Sequence, residues 1–197
     1  MSPAHVLEPT YRRLKQALLD GAWPAGSKLE AMRLAEDFGV SMTPVRDCLN
    51  QLVGEGLVDL TPGEGFRVPR MTEQELRDIL NVNAALLEMA INLDCRSLIP
   101  TSAFPTGNEY SDRVAMAFSS LAAGTGNGFL VKLVQRISER VHRVRSHEPE
   151  VLGEAEQVLA QIETSLRGSR GNRHEAFRHY HLQCLEKVSQ LIRCLSE

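Results

Sequence analysis

The sequence predicts a mainly α chain in two parts: three short helices closed by a β-hairpin over residues 1–70, then an all-α helical bundle over 71–197. Three observations carry this. Apolar residues recur at helical spacing in three short blocks before residue 54. The period then changes once to strict alternation, on either side of Pro62-Gly63-Glu64-Gly65. Beyond Pro69 helical spacing returns and persists to the end.

The first helix is expected over 9–19, with Tyr11, Leu14, Ala17 and Leu18 on one face and a glycine- and proline-rich break behind it. Leu29, Met32, Leu34, Ala35 and Phe38 mark the second, ended by Gly39. The third opens at Ser41 and buries Val45, Leu49, Leu52 and Val53. Val58 and Leu60, then Phe66 and Val68, form the two hairpin arms. A single long helix follows, carried by Leu76, Ile79, Leu80, Leu86, Leu87, Ala90 and Ile91, with Asn83 and Asp94 interrupting its stripe as candidates for an interface or hinge. After a break at 100–107, helices are expected around Val114–Leu121, Leu130–Val144, Leu152–Leu166 and Phe177–Leu195, with GSRGN as a turn.

Composition places the chain among ordinary globular proteins, with 43% apolar and 24% charged residues. No apolar run approaches the roughly 18 residues needed to cross a bilayer, and the amino end lacks a secretory layout, so a cytoplasmic location is expected. Cys48, Cys95, Cys184 and Cys194 have no metal or redox spacing and read as free thiols. Net charge is −3, and residues 1–70 hold eight basic against nine acidic side chains. Any nucleic-acid contact therefore depends on where the arginines lie, not on their number. No Ser/His/Asp grouping, phosphate loop or carboxylate pair points to an enzyme.

Three helices and a hairpin are the layout of a winged helix-turn-helix, whose third helix enters the major groove by its amino end. Pro44 fits that assignment. With Ser41 as N-cap it is the third helical residue, where an N–H has no partner within the helix. The Ser41 hydroxyl is expected to accept a first-turn N–H. Ser41 and Thr43 then supply hydroxyls at a phosphate-binding helix end, and Arg46, one turn in, reaches a phosphate or a guanine edge.

The run 29–68 resembles the DNA-binding domain of GntR-family bacterial transcription regulators. The resemblance lies in LA at 34–35, FGVS at 38–41, TPVR at 43–46, Leu49, Leu52, EGLV at 55–58, PGEG at 62–65 and the closing FRV, after the lead-in WPAGSKL at 23–29. It implies a double-stranded DNA operator as partner, read by a homodimer. It also implies DNA-facing roles for Ser41, Thr43 and Arg46, for Lys28, Arg33 and Arg67 as phosphate contacts, and for Gly63 and Gly65 in the wing. Met42 and Glu64 stand where relatives commonly carry basic residues, so the operator cannot be copied from them.

The helical half is similar to the FCD branch, named for the C-terminal domain of the fatty-acid-responsive regulator FadR. That resemblance implies a small-molecule effector and, in many members, a divalent metal held by one aspartate and three histidines. Here the corresponding positions read Ala115, Ser119 and Ala155, and only His181 matches. The branch's Arg-x-x-Leu-Glu reads Ala84 to Glu88. No metal or other cofactor is therefore expected. His181 is either a hydrogen-bonded interior histidine or, with Ser119 and Arg113, a lining group of an effector pocket. That pocket would suit an apolar or uncharged ligand, or none. His142, His147, His174 and His179 are expected in solvent. The leading expectation is a ligand-responsive repressor; the alternative is a regulator whose helical half only dimerises.

Overall fold

The computed structural model describes residues 3–93 and 109–195, and the side chains among them from Leu7 onward. Asp94, Cys95 and the break at 100–107 lie outside the described residues. The chain divides into a compact unit ending at Met71 and a second beginning at Thr72. No helix among the described residues is long and apolar enough to cross a membrane.

The first unit contains α1 (Pro3–Leu19), β1 (Lys28–Leu29), α2 (Ala31–Phe38), α3 (Met42–Glu55), β2 (Asp59–Thr61) and β3 (Gly65–Arg67). Its core joins Leu14 and Leu18 of α1, Leu34 and Ala35 of α2, and Val45, Cys48, Leu49 and Leu52 of α3. Helix α1 does not start at Pro9 but runs through it. The lost hydrogen bond is offset by packing, because Leu7 lies against the core and Thr10 is buried. Gly39 ends α2 in the left-handed region at φ 68°, donating to Glu36 O while Val40 N–H reaches Ala35 O at 3.0 Å.

The wing is three-stranded, in order β1-β3-β2, with Lys28 opposite Arg67 and Leu29 opposite Phe66. Leu29 therefore belongs to a strand, not to the second helix, which starts at Ala31. Met32, expected in that helix's buried face, is 59% exposed.

The second unit is all helical: α4 (Glu73–Asn92), α5 (Tyr110–Ala123), α6 (Gly128–Arg140), α7 (His142–Ser146), α8 (Glu148–Val151), α9 (Ala155–Ser165), α10 (Arg170–Glu186) and α11 (Val188–Cys194). Thr72 caps α4 by accepting from Glu75 N–H at 3.1 Å, the first half of a Thr-x-x-Glu box. Helix α4 packs on α10 and α6, and α5 on α6, α7 and α9. Two expected long helices are each broken. Val141 separates α6 from α7 and Lys187 separates α10 from α11, both near φ −100° with ψ close to zero. The expected 152–166 helix begins only at Ala155, after Gly153 at φ 70°. GSRGN is not wholly a turn: Ser169 caps α10 and Arg170–Asn172 form its first turn.

Candidate nucleic-acid interface

The core face of α3 determines what its other face presents. Val45, Cys48, Leu49 and Leu52 are fully buried, so Met42, Thr43, Arg46, Asp47 and Asn50 point to solvent together. Beneath the helix the Cys48 thiol contacts Leu7 O at 3.6 Å, and burial pushes it up to about 11. It is structural, not reactive.

The carboxyl end of α3 is fixed to α1 by a polar clamp. Glu55 accepts from the Tyr11 hydroxyl at 2.7 and 2.8 Å and from Lys15 Nζ at 3.0 Å. Burial works to raise the Glu55 carboxyl, but Tyr11 and Lys15 together outweigh it and hold the group below its ordinary value. The clamp leaves the amino end of α3 as its outward end.

At that end Ser41 is extended, at φ −77° and ψ 163°, and is the N-cap residue as expected. Its hydroxyl, however, makes no cap hydrogen bond. The first-turn N–H groups of Met42 and Thr43 thus have no side-chain cap acceptor, Ser41, Met42 and Thr43 are all exposed, and Pro44 is third in the helix.

The basic residues divide into engaged and unengaged. Arg12 pairs with Glu8 at 2.8 Å, Arg13 lies 4.7 Å over the Phe38 ring, and Arg33 pairs with Glu30 at 3.2 Å. Arg67 donates from Nη1 to Gly26 O at 3.2 Å and sits 3.4 Å from Glu64. Among the described residues Lys28 and Arg46 form no ion pair, and both are exposed.

In the wing tip Glu64 N–H reaches Thr61 O at 3.0 Å, with Pro62 and Gly63 (φ 81°) at the centre of a type II turn. Gly65 follows at φ 86° and starts β3, with the Lys28 stem alongside. A recess of about 370 Å³ at the wing base is lined by Gly26, Asp59, Thr61, Arg67, Val68 and Arg70. Two arginines and one acid line it, and Arg67 is the arginine already beside Glu64.

The proposed pocket residues of the helical unit do not form one group of free side chains. Arg113 bridges α5 to α9, donating to Glu156 at 2.8 Å and to both Glu163 oxygens at 3.2 Å. Ser119 is half-buried on α5, six residues further on and so on a different face. His181 is buried on α10, stacked on Phe118 at 5.8 Å. Its Nδ1–H donates to Phe177 O at 2.7 Å. Burial keeps the ring neutral, so Nε2 accepts, and the Asn83 carboxamide, whose Oδ1 lies 3.0 Å away, satisfies it once flipped to present its NH2. That orientation also gives the buried Asn83 nitrogen its only partner among the described residues. Asn83 is thus neither hinge nor interface but the anchor of His181, and neither imidazole nitrogen is left for another ligand. Burial lowers His181 to about 4, with Arg145 adding to the effect.

His142 corrects another expectation, being buried and 3.4 Å from Ser111 Oγ rather than solvated. Reading the sequence also missed Arg145 and Glu148, each 1% exposed. Glu148 accepts from the Tyr180 hydroxyl at 2.8 and 3.1 Å. Among the described residues no group of three or more His, Cys, Asp or Glu side chains could hold a metal ion.

Residues 8–68 match the family described as "Bacterial regulatory proteins, gntR family". The chain is 36% identical over 83 residues to the HTH-type transcriptional repressor GlaR of Escherichia coli K12, covering 42% of this chain and 38% of that one. It is 36% identical over 87 residues to the HTH-type transcriptional regulator McbR of the same organism, covering 44% and 39%. The chain thus matches about two fifths of the length of these relatives, which are transcription regulators and not enzymes. Over nearly the whole chain the fold is similar to E. coli McbR/YncC, with a TM-score of 0.71 at 18% identity over 96% of this chain and 98% of that one. A transcriptional regulator from Rhodococcus sp. RHA1 gives 0.72 at 15% identity, over 93% and 97%.

Proposed function

From residues 8–68 being a helix-turn-helix domain of the gntR family, we propose that the protein is a sequence-specific DNA-binding transcription regulator. It acts in the cytoplasm as a homodimeric repressor released by a small effector, and it uses no metal. One observation carries the reading: the amino end of α3 stands clear of the core with Ser41, Thr43 and an unpaired Arg46 on its solvent face. The first-turn N–H groups and two hydroxyls suit a phosphate oxygen, and Arg46 suits a guanine edge. Lys28 and the Arg67–Arg70 wing base supply backbone contacts, which position the domain without reading sequence. Arg33 and Arg67 must exchange their internal carboxylates for phosphate, so their contribution is smaller than that of Arg46. Two such domains related by a two-fold axis read a palindrome. Effector binding in the helical unit changes the spacing of the two α3 helices and lowers affinity.

Fluorescence anisotropy on the promoter next to the protein's own gene, at several salt concentrations, is the test. Wild type binds with an affinity that falls steeply with salt. Arg46→Ala costs about 1–3 kcal/mol of specific binding and leaves the melting temperature unchanged, because Arg46 makes no ion pair among the described residues. Equal binding by the two proteins would remove the proposed contact.

A second reading keeps the DNA-binding role and makes the helical unit a dimerisation module alone. The residues Ala115, Ser119 and Ala155 at the branch's ligand positions favour it, as does the full engagement of His181.

A further inference from the structure

Among the described residues of the first unit, three large apolar side chains stand in solvent: Met32, Met42 and Leu60. Met42 is the one on α3, and it is the first residue of that helix, with 42% of its surface in water. The core of the unit is filled by other residues of the same helix, Val45, Cys48, Leu49 and Leu52. A helical side chain leans toward the amino end of its helix, because each Cα–Cβ bond tilts that way. Met42 therefore projects at the outward end of α3, ahead of the exposed Arg46 one turn behind it.

Base edges in the major groove offer donors, acceptors and one apolar group, the thymine 5-methyl. A thioether donates no hydrogen bond and accepts only weakly. It cannot satisfy the guanine acceptors or the cytosine amino group, and covering them strips their water without replacing it. It can pack on a methyl, and its three rotatable bonds and polarisable sulfur adapt to that contact. Arg46 lies four residues on, about 6 Å along the helix axis and on the same side. Base pairs are about 3.4 Å apart, so the two side chains address bases within roughly two steps of each other.

We propose that Met42 selects a thymine in each operator half-site, by packing on the 5-methyl group close to the guanine that Arg46 reads. This deepens the regulator reading given above and rests on it. The uncharged first-turn residue replaces a hydrogen-bonded base contact by an apolar one, and so gives this chain an operator preference of its own. Burying one methyl group corresponds to about fourfold in affinity for each half-site.

The test starts from duplexes that the full chain selects out of a randomised pool. Thymines near the selected guanine are replaced one at a time by uracil, which deletes the methyl alone. In a second series the same T·A pair becomes C·G, carrying either cytosine or 5-methylcytosine. Fluorescence anisotropy reads the affinities. One uracil replacement per half-site weakens binding about fourfold, and 5-methylcytosine binds more tightly than cytosine at the same place. With Met42→Ala the thymine and uracil duplexes bind equally, and with Met42→Arg the selection shifts from thymine to guanine there. Indifference of the wild type to every uracil replacement overturns the proposal. So does a thymine–uracil difference that Met42→Ala retains, which assigns the methyl to another side chain such as Thr43. Neither result touches the regulator reading. A pool that yields no preferred sequence overturns that reading, and this inference with it. If a variant does not fold, the two methyl series on the wild-type chain decide alone.

Discussion

Lowering the pH from 7.5 to 5.5 tests the buried pairing of His181 with Asn83 and Phe177. In the unfolded chain the imidazole titrates near its ordinary value of 6.5, and in the folded protein burial lowers it to about 4. A histidine with a depressed folded value keeps its full contribution above 6.5 and loses it as pH falls toward 4, because only the unfolded chain takes up the proton. Between those limits the linkage relation gives a loss of about 1.4 kcal/mol on going from pH 7.5 to 5.5. Glu148 works in the opposite direction. Its folded value is raised, so its contribution is full below the ordinary carboxylate range and declines as pH rises. The two effects are separated by comparing wild type with His181→Gln, which cannot titrate. Urea unfolding of both full-length proteins at the two pH values, followed by helical ellipticity, gives the double difference. Wild type should lose about 1.4 kcal/mol more than the variant over this range. A double difference near zero, or an imidazole proton resonance titrating near 6.5 in the folded protein, refutes the neutral buried ring.

Two further outcomes concern the first unit. Glu55→Gln removes the charge that Tyr11 and Lys15 hold between α1 and α3, and should cost about 1–2 kcal/mol of stability. That cost is full above the ordinary glutamate range and fades as pH falls through the lowered Glu55 value; a cost unchanged at pH 3 would show the clamp to be non-ionic. Leu52→Ala empties a fully buried position beneath α3 and should cost about 2–5 kcal/mol, measured as a lowered urea midpoint of the first unit. A loss below about 0.5 kcal/mol would mean that α3 is not seated on this core.

Local chemistry made α3 and the wing legible in advance. Pro44 restricts where the helix starts, Gly39 ends α2 in the left-handed region, and Pro62-Gly63-Glu64-Gly65 marks the hairpin turn. Features set by contacts distant in sequence were not legible. Strand β1 has two residues, too few for any period, and exists because Lys28 and Leu29 meet Arg67 and Phe66 almost 40 residues away. The Ser41 position was readable but its missing hydroxyl bond was not, since the rotamer answers to no local constraint. The breaks at Val141 and Lys187 contain neither glycine nor proline, and the apolar period runs on through both.

The buried polar residues are the more instructive failure, because their periodicity was correct and only their chemistry misled. Leu76, Leu80, Asn83, Leu87 and Ala90 are all buried, so Asn83 lies in phase with the stripe it was thought to interrupt. Val134, Ser138, Val141, Arg145 and Glu148 likewise advance by three or four residues and are all buried, across two helix breaks. The spacing therefore placed Arg145 and Glu148 inside, while their charge argued for the surface. A polar or charged residue in phase with a core stripe has to be paired or neutralised, since the interior supplies no water in its place. Asn83 meets this condition through His181 and Glu148 through Tyr180. Arg145 alone of the three keeps buried donors, Nε and Nη1, without a hydrogen-bond partner among the described residues, and meets the face of Phe118 instead.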